Sequence, residues 1–329
     1  MNDNNAIVAK GLSKQYDDLW ALRDVDFAVP AGSVLGLLGH NGAGKTTAIR
    51  ILTTLAEPTS GEARVAGFDV ATEGARVRER IGVAGQSATV DDLLTARANL
   101  EMVGRLYHLP KAEVRDRADE LLEQLGLADV GDKLVKTFSG GMRRRLDLAA
   151  SLVADPPVLF LDEPTTGLDP EARVDLWGLL RELVGGGTTL LLTTQYLDEA
   201  DQLADSIVVL DRGRVIEEGS PAELKSRVGG ERVVINVSGT QEIAPAASAL
   251  ARFADGHIDN DHDELVVTAP VQRGTRLIEV VRALDQEGID AADVHRREPT
   301  LDDVFLTLTG TKRVDPTPTD EHELEEVAA

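Results

Sequence analysis

Hydrophobic residues in the first two-thirds of the chain gather into short, almost continuous runs: Val34 to Leu38, Val158 to Leu161, Leu190 to Leu192 and Ile207 to Leu210. Each run is too short for a buried helix and is bounded by Gly, Asp or Thr. Such runs fit parallel strands that are covered on both faces. Between the second and third runs, Val174, Trp177, Leu180 and Val184 recur at helical spacing, and Gly185-Gly186-Gly187 stops that helix. Strand, helix and strand in that order predict an α/β core with right-handed crossovers.

Residues from about 87 to 154 interrupt this alternation. They are rich in helix formers, with Leu121, Leu122 and Leu125 on one face, and read as a helical subdomain inserted into a first domain of residues 1–230. The texture changes again near Gly229-Gly230. Arg232 to Val237 and Glu264 to Thr268 read as strands, and Arg276 to Leu284 and Leu301 to Leu308 as helices. A small α+β domain over residues 231–310 is therefore expected. Residues 311–329, with Pro316, Pro318 and a dense acidic run, are expected to be a disordered tail.

Composition narrows the function. The 329 residues contain no cysteine, which excludes disulfides, thiol catalysis and thiolate metal sites. Six histidines without ligand-like spacing argue against a structural zinc. No run of apolar residues is long enough to cross a bilayer, and the start Met1-Asn2-Asp3-Asn4-Asn5 lacks the basic and apolar regions of a signal peptide. A cytoplasmic protein is expected. The formal net charge of −23 argues against a nucleic-acid partner and against electrostatic docking to anionic lipid.

Two motifs carry chemistry. Gly39-His40-Asn41-Gly42-Ala43-Gly44-Lys45-Thr46 fits the Walker A pattern and follows the strand Val34 to Leu38. Its glycines let the backbone curl so that successive N–H groups cradle phosphate oxygens, and the helix Lys45 to Leu52 aims its positive end at them. Lys45 is expected to reach the β- and γ-phosphates, and Thr46 to ligand Mg²⁺. Val158 to Leu161 then ends in two carboxylates, Asp162 and Glu163. Downstream of a P-loop, Asp162 is expected to hold Mg²⁺ through water and Glu163 to polarise the attacking water. Standing alone, the pair would be an exposed turn.

Further along, Phe138-Ser139-Gly140-Gly141-Met142 resembles the ABC signature, and Thr166-Gly167-Leu168-Asp169 resembles the D-loop. With Gln86 at the Q-loop position, the motifs stand in the order of the ABC nucleotide-binding domain, a P-loop NTPase fold, over roughly residues 6–224. The resemblance implies ATP and Mg²⁺ as ligands. It implies nucleotide contacts from Gly39, His40, Asn41, Gly42, Ala43, Gly44, Lys45, Thr46, Thr47, Gln86, Ser139, Gly140, Gly141 and Asp169, with Thr46, Gln86 and Asp162 at the metal. Tyr16 falls at the adenine-stacking position, although a lone Tyr also serves as a packing residue. Ser139, Gly140 and Gly141 open a helix whose first N–H groups lack intrahelical partners. In this family they bind the γ-phosphate held by the other protomer, so a single cassette implies a homodimer. Phe138 and Met142 depart from the commoner Leu and Gln.

Gln195 stands where most of the family has His. Gln can hydrogen-bond the γ-phosphate or water but cannot titrate near neutral pH, which excludes proton shuttling there. Thr194-Gln195-Tyr196-Leu197-Asp198-Glu199-Ala200-Asp201 and Glu298-Pro299-Thr300-Leu301-Asp302-Asp303-Val304-Phe305 resemble the ATP-binding subunits of daunorubicin/doxorubicin-type resistance exporters. That likeness implies an ATPase with catalytic Glu163 and Gln195, held on the inner face of the cell membrane by a permease on a separate chain, and export of a hydrophobic drug, antibiotic or lipid. The permease is expected to dock on the helical subdomain near Gln86. An importer ATPase and a soluble non-transport ABC ATPase are the alternatives. The apolar spacing of Leu301, Val304, Phe305 and Leu308 needs a partner surface in its own domain, the other protomer or the permease, and a role in dimer assembly or its regulation is favoured.

Overall fold

The four apolar runs become neighbouring strands of one sheet. The computed structural model describes residues 4–85, 90–227 and 230–309, and the chain divides into two units, Met1–Leu224 and Lys225–Ala329. That division falls a few residues before the expected boundary at 230. In the first unit a six-stranded sheet runs, in spatial order, Arg214–Gly219 (β10), Ser206–Asp211 (β9), Val34–Leu38 (β3), Thr189–Thr194 (β8), Val158–Asp162 (β7) and Ile81–Ala84 (β6). All neighbours are parallel except the antiparallel pair of β9 and β10.

Strands β3, β7 and β8 are buried along their whole length, which is why they carry no alternation of polar and apolar residues. Their side chains still alternate between the two faces of the sheet. Leu35, Leu37, Val158, Phe160 and Leu191 join a core with helix α1 (Lys45–Leu52). Val34, Leu159, Leu161, Leu190 and Leu192 join a second core. That second core holds helices α3 (Ala96–Leu106), α4 (Lys111–Gln124), α5 (Gly140–Leu152) and α6 (Pro170–Gly185). Each large side chain fully buried this way contributes about 1.5–3 kcal/mol.

A second sheet, antiparallel, was not evident from the runs: Leu19–Pro30 (β2), Asn5–Tyr16 (β1), Ser60–Val65 (β4) and Phe68–Asp69 (β5). Its strands pack one face on the α1 core and leave the other wet, so their apolar residues are spaced rather than continuous. Helices α2 (Gly74–Arg78) and α7 (Leu197–Leu203) belong to the same unit, and α8 (Pro221–Arg227) runs across its end at Leu224. The expected α6 face needs one correction, because Val174 is 61% exposed. The stripe that packs centres on Leu180 with Leu176, Trp177, Leu183 and Val184, and residue 174 lies about a third of a turn away from it at 100° per residue.

The second unit is a four-stranded antiparallel sheet in the order Asp259–Asp261 (β12), Val266–Pro270 (β13), Arg232–Val237 (β11) and Ala291–Arg297 (β14). Helices α9 (Thr240–Leu250) and α10 (Leu277–Gln286) share its core, and α11 (Leu301–Thr309) ends it. Strand β13 starts at Val266 rather than Glu264, because Leu265 has a left-handed backbone (φ 57°). Asp261 Oδ1 accepts from the Asp263 and Glu264 amides at 3.0 Å and shapes that turn. The expected tail from residue 311 lies outside the described residues. Among the described residues no helix is long and apolar enough to cross a membrane.

Candidate active site

The parallel register aligns the carboxyl ends of three adjacent strands. Leu38 of β3 stands opposite Thr194 of β8, and Thr193 of β8 opposite Asp162 of β7. In open α/β sheets this edge is where ligands bind. The loop 39–44 leaves β3 here and enters α1 at Lys45. Two of its glycines are required by space. A Cβ on Gly39 would meet the Leu210 carbonyl at 2.5 Å, and one on Gly44 (φ 110°) would meet the Ala21 carbonyl at 2.5 Å. The loop is thereby pressed against β9 and β2.

Lys45 is 4% exposed. Its Nζ donates to the Gly39 carbonyl at 2.7 Å and the His40 carbonyl at 3.3 Å, and stands 3.4 Å from Glu163 Oε1. Burial holds its ammonium below the usual lysine range, and the nearby Glu163 and Asp162 carboxylates oppose that shift. Thr46 Oγ1 lies 3.4 Å from Asp162 Oδ1, which also accepts from Thr193 Oγ1 at 2.5 Å. Strand β7 ends at Asp162, and Glu163 turns into a left-handed backbone (φ 49°). The turn brings its carboxylate round to Lys45, and Thr166 Oγ1 donates to the other oxygen at 3.3 Å.

The structure thus assembles Gly39, His40, Asn41, Gly42, Ala43, Gly44, Lys45, Thr46, Asp162 and Glu163 at one edge. His40 bonds Asp211 Oδ1 through Nε2 at 2.8 Å. Thr47 follows on α1, half-buried. Gln195 comes directly after β8, half-buried, and its amide has no hydrogen-bond partner among the described residues. Tyr16 ends β1 and is 42% exposed, with Lys14 Nζ 4.9 Å from its ring. Ser139 caps α5, accepting from the Met142 amide at 3.3 Å, and Asp169 caps α6, accepting from the Ala172 amide at 2.9 Å. Among the described residues no hydrogen bond joins Ser139, Gly140 or Gly141 to the 39–47 loop. Gln86 lies outside the described residues.

Sequence reasoning missed four side chains. Thr193 and Thr166 fix the two carboxylates, and a clue was available, since Thr193-Thr194 is a polar step at the end of an apolar strand. Glu199 is fully buried and takes the Trp177 indole N–H at 3.3 Å; burial pushes its carboxyl up. Arg144 donates to the carbonyls of Gly85 and of the turn Asp162, Glu163 and Pro164.

A loop of this kind between a parallel strand and a helix, faced by an Asp-Glu pair on the next strand but one, defines a P-loop nucleotide hydrolase. The profile of the ABC transporter family matches residues 22–166. The chain is 54% identical over 309 residues to the daunorubicin resistance ATP-binding protein DrrA2 of Streptomyces coeruleorubidus, covering 94% of this chain and 96% of that one. It is 47% identical to the daunorubicin/doxorubicin resistance ATP-binding protein DrrA of Streptomyces peucetius, over 98% of this chain and 96% of that one. Among solved structures, the dimeric post-hydrolysis state of the ATP-binding cassette MJ0796 bound to ADP and Pi matches with a TM-score of 0.59 and 27% identity, covering 65% of this chain and 98% of that one. The chain belongs to the ATP-binding subunits of ABC transporters, and it is an ATPase.

Proposed function

We propose that two copies of this chain bind and hydrolyse ATP at shared sites and so drive efflux of a hydrophobic drug-like molecule through a membrane permease on a separate chain. The observation that carries this reading is the Lys45–Glu163 contact of 3.4 Å beside the Thr46–Asp162 contact of 3.4 Å. One cation, two carboxylates and a hydroxyl converge at the loop that joins β3 to α1. The two relatives are named for resistance to daunorubicin and doxorubicin, and outward transport of a hydrophobic drug-like molecule accounts for resistance of that kind.

ATP is the substrate. Lys45 and the amides of the 39–44 loop bind its phosphates, and Glu163 holds a water. That water attacks the γ-phosphorus in line with the β–γ bridging oxygen. The P–O bond to the bridge breaks, its electron pair leaves on ADP, and the water's proton departs with inorganic phosphate. A Mg²⁺ ion fits beside Thr46 Oγ1 and Asp162 Oδ1, two hard oxygen donors, and supplies neutralisation of phosphate charge when bound. Gln195 is placed to hydrogen-bond the γ-phosphate or the water once the site closes. Ser139, Gly140 and Gly141 cap the partner copy's nucleotide, which agrees with the lack, among the described residues, of any hydrogen bond from them to the loop of their own chain.

A cleft of about 330 Å³ between the sheet and the helical subdomain, lined by Leu55, Ile81, Val83, Val103 and Tyr107, is the seat for a cytoplasmic helix of the permease. Leu55 and Leu106 are 69% and 71% exposed, which favours an apolar partner there. Such docking holds the chain on the inner face of the cell membrane. Two measurements test the reading. Purified chain is expected to release phosphate from ATP, and Lys45→Ala to abolish that release by removing the charge between the β- and γ-phosphates. The chain is expected to sediment with membranes only when the permease is co-expressed. Unchanged turnover in Lys45→Ala refutes the site.

A further inference from the structure

We propose that Arg144 is a positioning residue for hydrolysis: it holds the backbone of Glu163 in its left-handed turn and ties that turn to the signature helix α5. The inference rests on the assignment of Glu163 as the water-orienting carboxylate.

A non-glycine residue at φ 49° is strained, and such strain persists where surrounding contacts over-determine it. Glu163 is held on both sides. Its amide donates to the Thr193 carbonyl and to Thr193 Oγ1, each at 3.1 Å. Its carbonyl accepts from Arg144 Nη2 at 3.0 Å. The same Nη2 reaches the Asp162 carbonyl at 3.1 Å, Nε reaches the Pro164 carbonyl at 2.8 Å, and Nη1 reaches the Gly85 carbonyl just past β6. One guanidinium therefore grips three consecutive carbonyls of the catalytic turn and a fourth from the neighbouring strand end. The planar fork makes this possible, and no other side chain presents donors in that arrangement.

The charge is not in a surface ion pair. The Arg144 side chain is 14% exposed, and its nearest carboxylate, Asp147 one turn along α5, is 3.9 Å away. Its neighbours in the same arginine run differ: Arg143 meets Asp92 at 2.7 Å and Arg145 meets Asp175 at 2.9 Å, both nearer the surface. Burying an arginine against main-chain carbonyls is costly, and those carbonyls belong to the turn that carries Asp162 and Glu163. Because α5 begins just after Ser139, movement of that helix is felt at Glu163 through this side chain.

The test is phosphate release by the full chain, with ATP affinity measured separately by a fluorescent ATP analogue. Arg144→Gln is expected to lower kcat at least tenfold and to change KM and ATP affinity less than threefold. Arg144→Lys, with one nitrogen for four carbonyls, is expected to fall between. Arg143→Gln is expected to stay within twofold of the parent. In single-turnover measurements on Glu163→Gln chain, adding Arg144→Gln is expected to change the rate less than twofold, because the side chain acts through Glu163. Parental kcat in both Arg144 variants overturns the proposal, as does loss of ATP binding in step with kcat, or an equal loss in the Glu163→Gln background. If Arg144→Gln does not fold, Arg144→Lys decides, and unfolding of both overturns the positioning role. Parental turnover in Glu163→Gln itself sinks the underlying assignment as well; parental turnover in the Arg144 variants beside an inactive Glu163→Gln sinks only this one.

Discussion

Replacing Glu163 by Gln removes one charge and almost no volume. The side chain is buried, 3.4 Å from Lys45 Nζ, and its other oxygen accepts from Thr166 Oγ1 at 3.3 Å. An amide oxygen can keep the Thr166 bond, and Gln tolerates the left-handed backbone no worse than Glu, so the turn is expected to survive. What is lost is a base for the attacking water. Such a group contributes roughly 10²–10⁴-fold to rate, which corresponds to about 3–5 kcal/mol of barrier. Binding moves the other way. Lys45 loses the carboxylate that competes for it, and the phosphates lose a nearby negative charge. ATP affinity is therefore expected to hold or rise, and ATP to trap a long-lived dimer. Phosphate release at saturating ATP, titration with a fluorescent ATP analogue and size-exclusion chromatography with and without ATP read the three effects. Turnover within fivefold of the parent in a folded Glu163→Gln chain would refute the assignment.

Gln195→Ala is expected to slow turnover more than it weakens ATP binding, because the amide is proposed to act mainly when the site closes; Gln195→His is expected to remain active, and a His variant that binds but does not turn over would show a site tuned to an amide. In the second unit, Asp303 accepts from Arg297 at 2.6 and 3.0 Å and from the Thr300 amide at 2.9 Å, with Arg232 Nε 3.2 Å away. Asp303→Asn removes the closer of two carboxylates that act on the buried Arg232, leaving Asp259, and is expected to cost up to about 3–5 kcal/mol in urea unfolding followed by circular dichroism. Burial would raise the Asp303 carboxyl, but its bonds to Arg297 and Thr300 and the charge of Arg232 outweigh that and depress it. Its stabilisation is therefore full above the ordinary carboxylate pKa and is lost as pH falls through the depressed one, so the gap between parent and Asn variant is expected to close only in acid.

Much of the first unit was legible because buried parallel strands leave an unmistakable trace. A strand covered on both faces has no polar position to spare, and β3, β7 and β8 stand out for that reason. Strands β1 and β2 have one wet face and left weaker traces. Helix α9 escaped notice because Pro245 sits inside it, and a proline within a helical pattern ordinarily marks its end. Strand β14, Ala291–Arg297, has no fully buried residue and no alternation to read. In α11 the apolar spacing was visible, but the fixing of its first turn by Asp303 was not, since Arg232 and Arg297 come from β11 and β14.

At the site the boundary between legible and hidden follows a different line. Gly39 to Thr46 and Asp162-Glu163 could be read because each motif is local and its chemistry demands particular residue types in sequence. Arg143, Arg144 and Arg145 are indistinguishable in the same reading, yet two form peripheral ion pairs and one grips the turn that carries Asp162 and Glu163. Their difference comes from the angle at which α5 meets the ends of β6 and β7, which no short pattern encodes. The same long-range fit accounts for the site's internal conflicts. Lys45, Asp162 and Glu163 are all nearly inaccessible, and Glu163 is strained besides, an arrangement that lowers stability when judged alone. It becomes intelligible once a triphosphate is the expected partner. Lys45 Nζ contacts Glu163 and two main-chain carbonyls, all of them negative or partly negative partners of the kind a phosphate oxygen also offers. On the proposed function a phosphate oxygen offers the buried Lys45 the same sign of charge as Glu163 does, so nucleotide binding leaves its ammonium compensated rather than creating a buried unpaired charge.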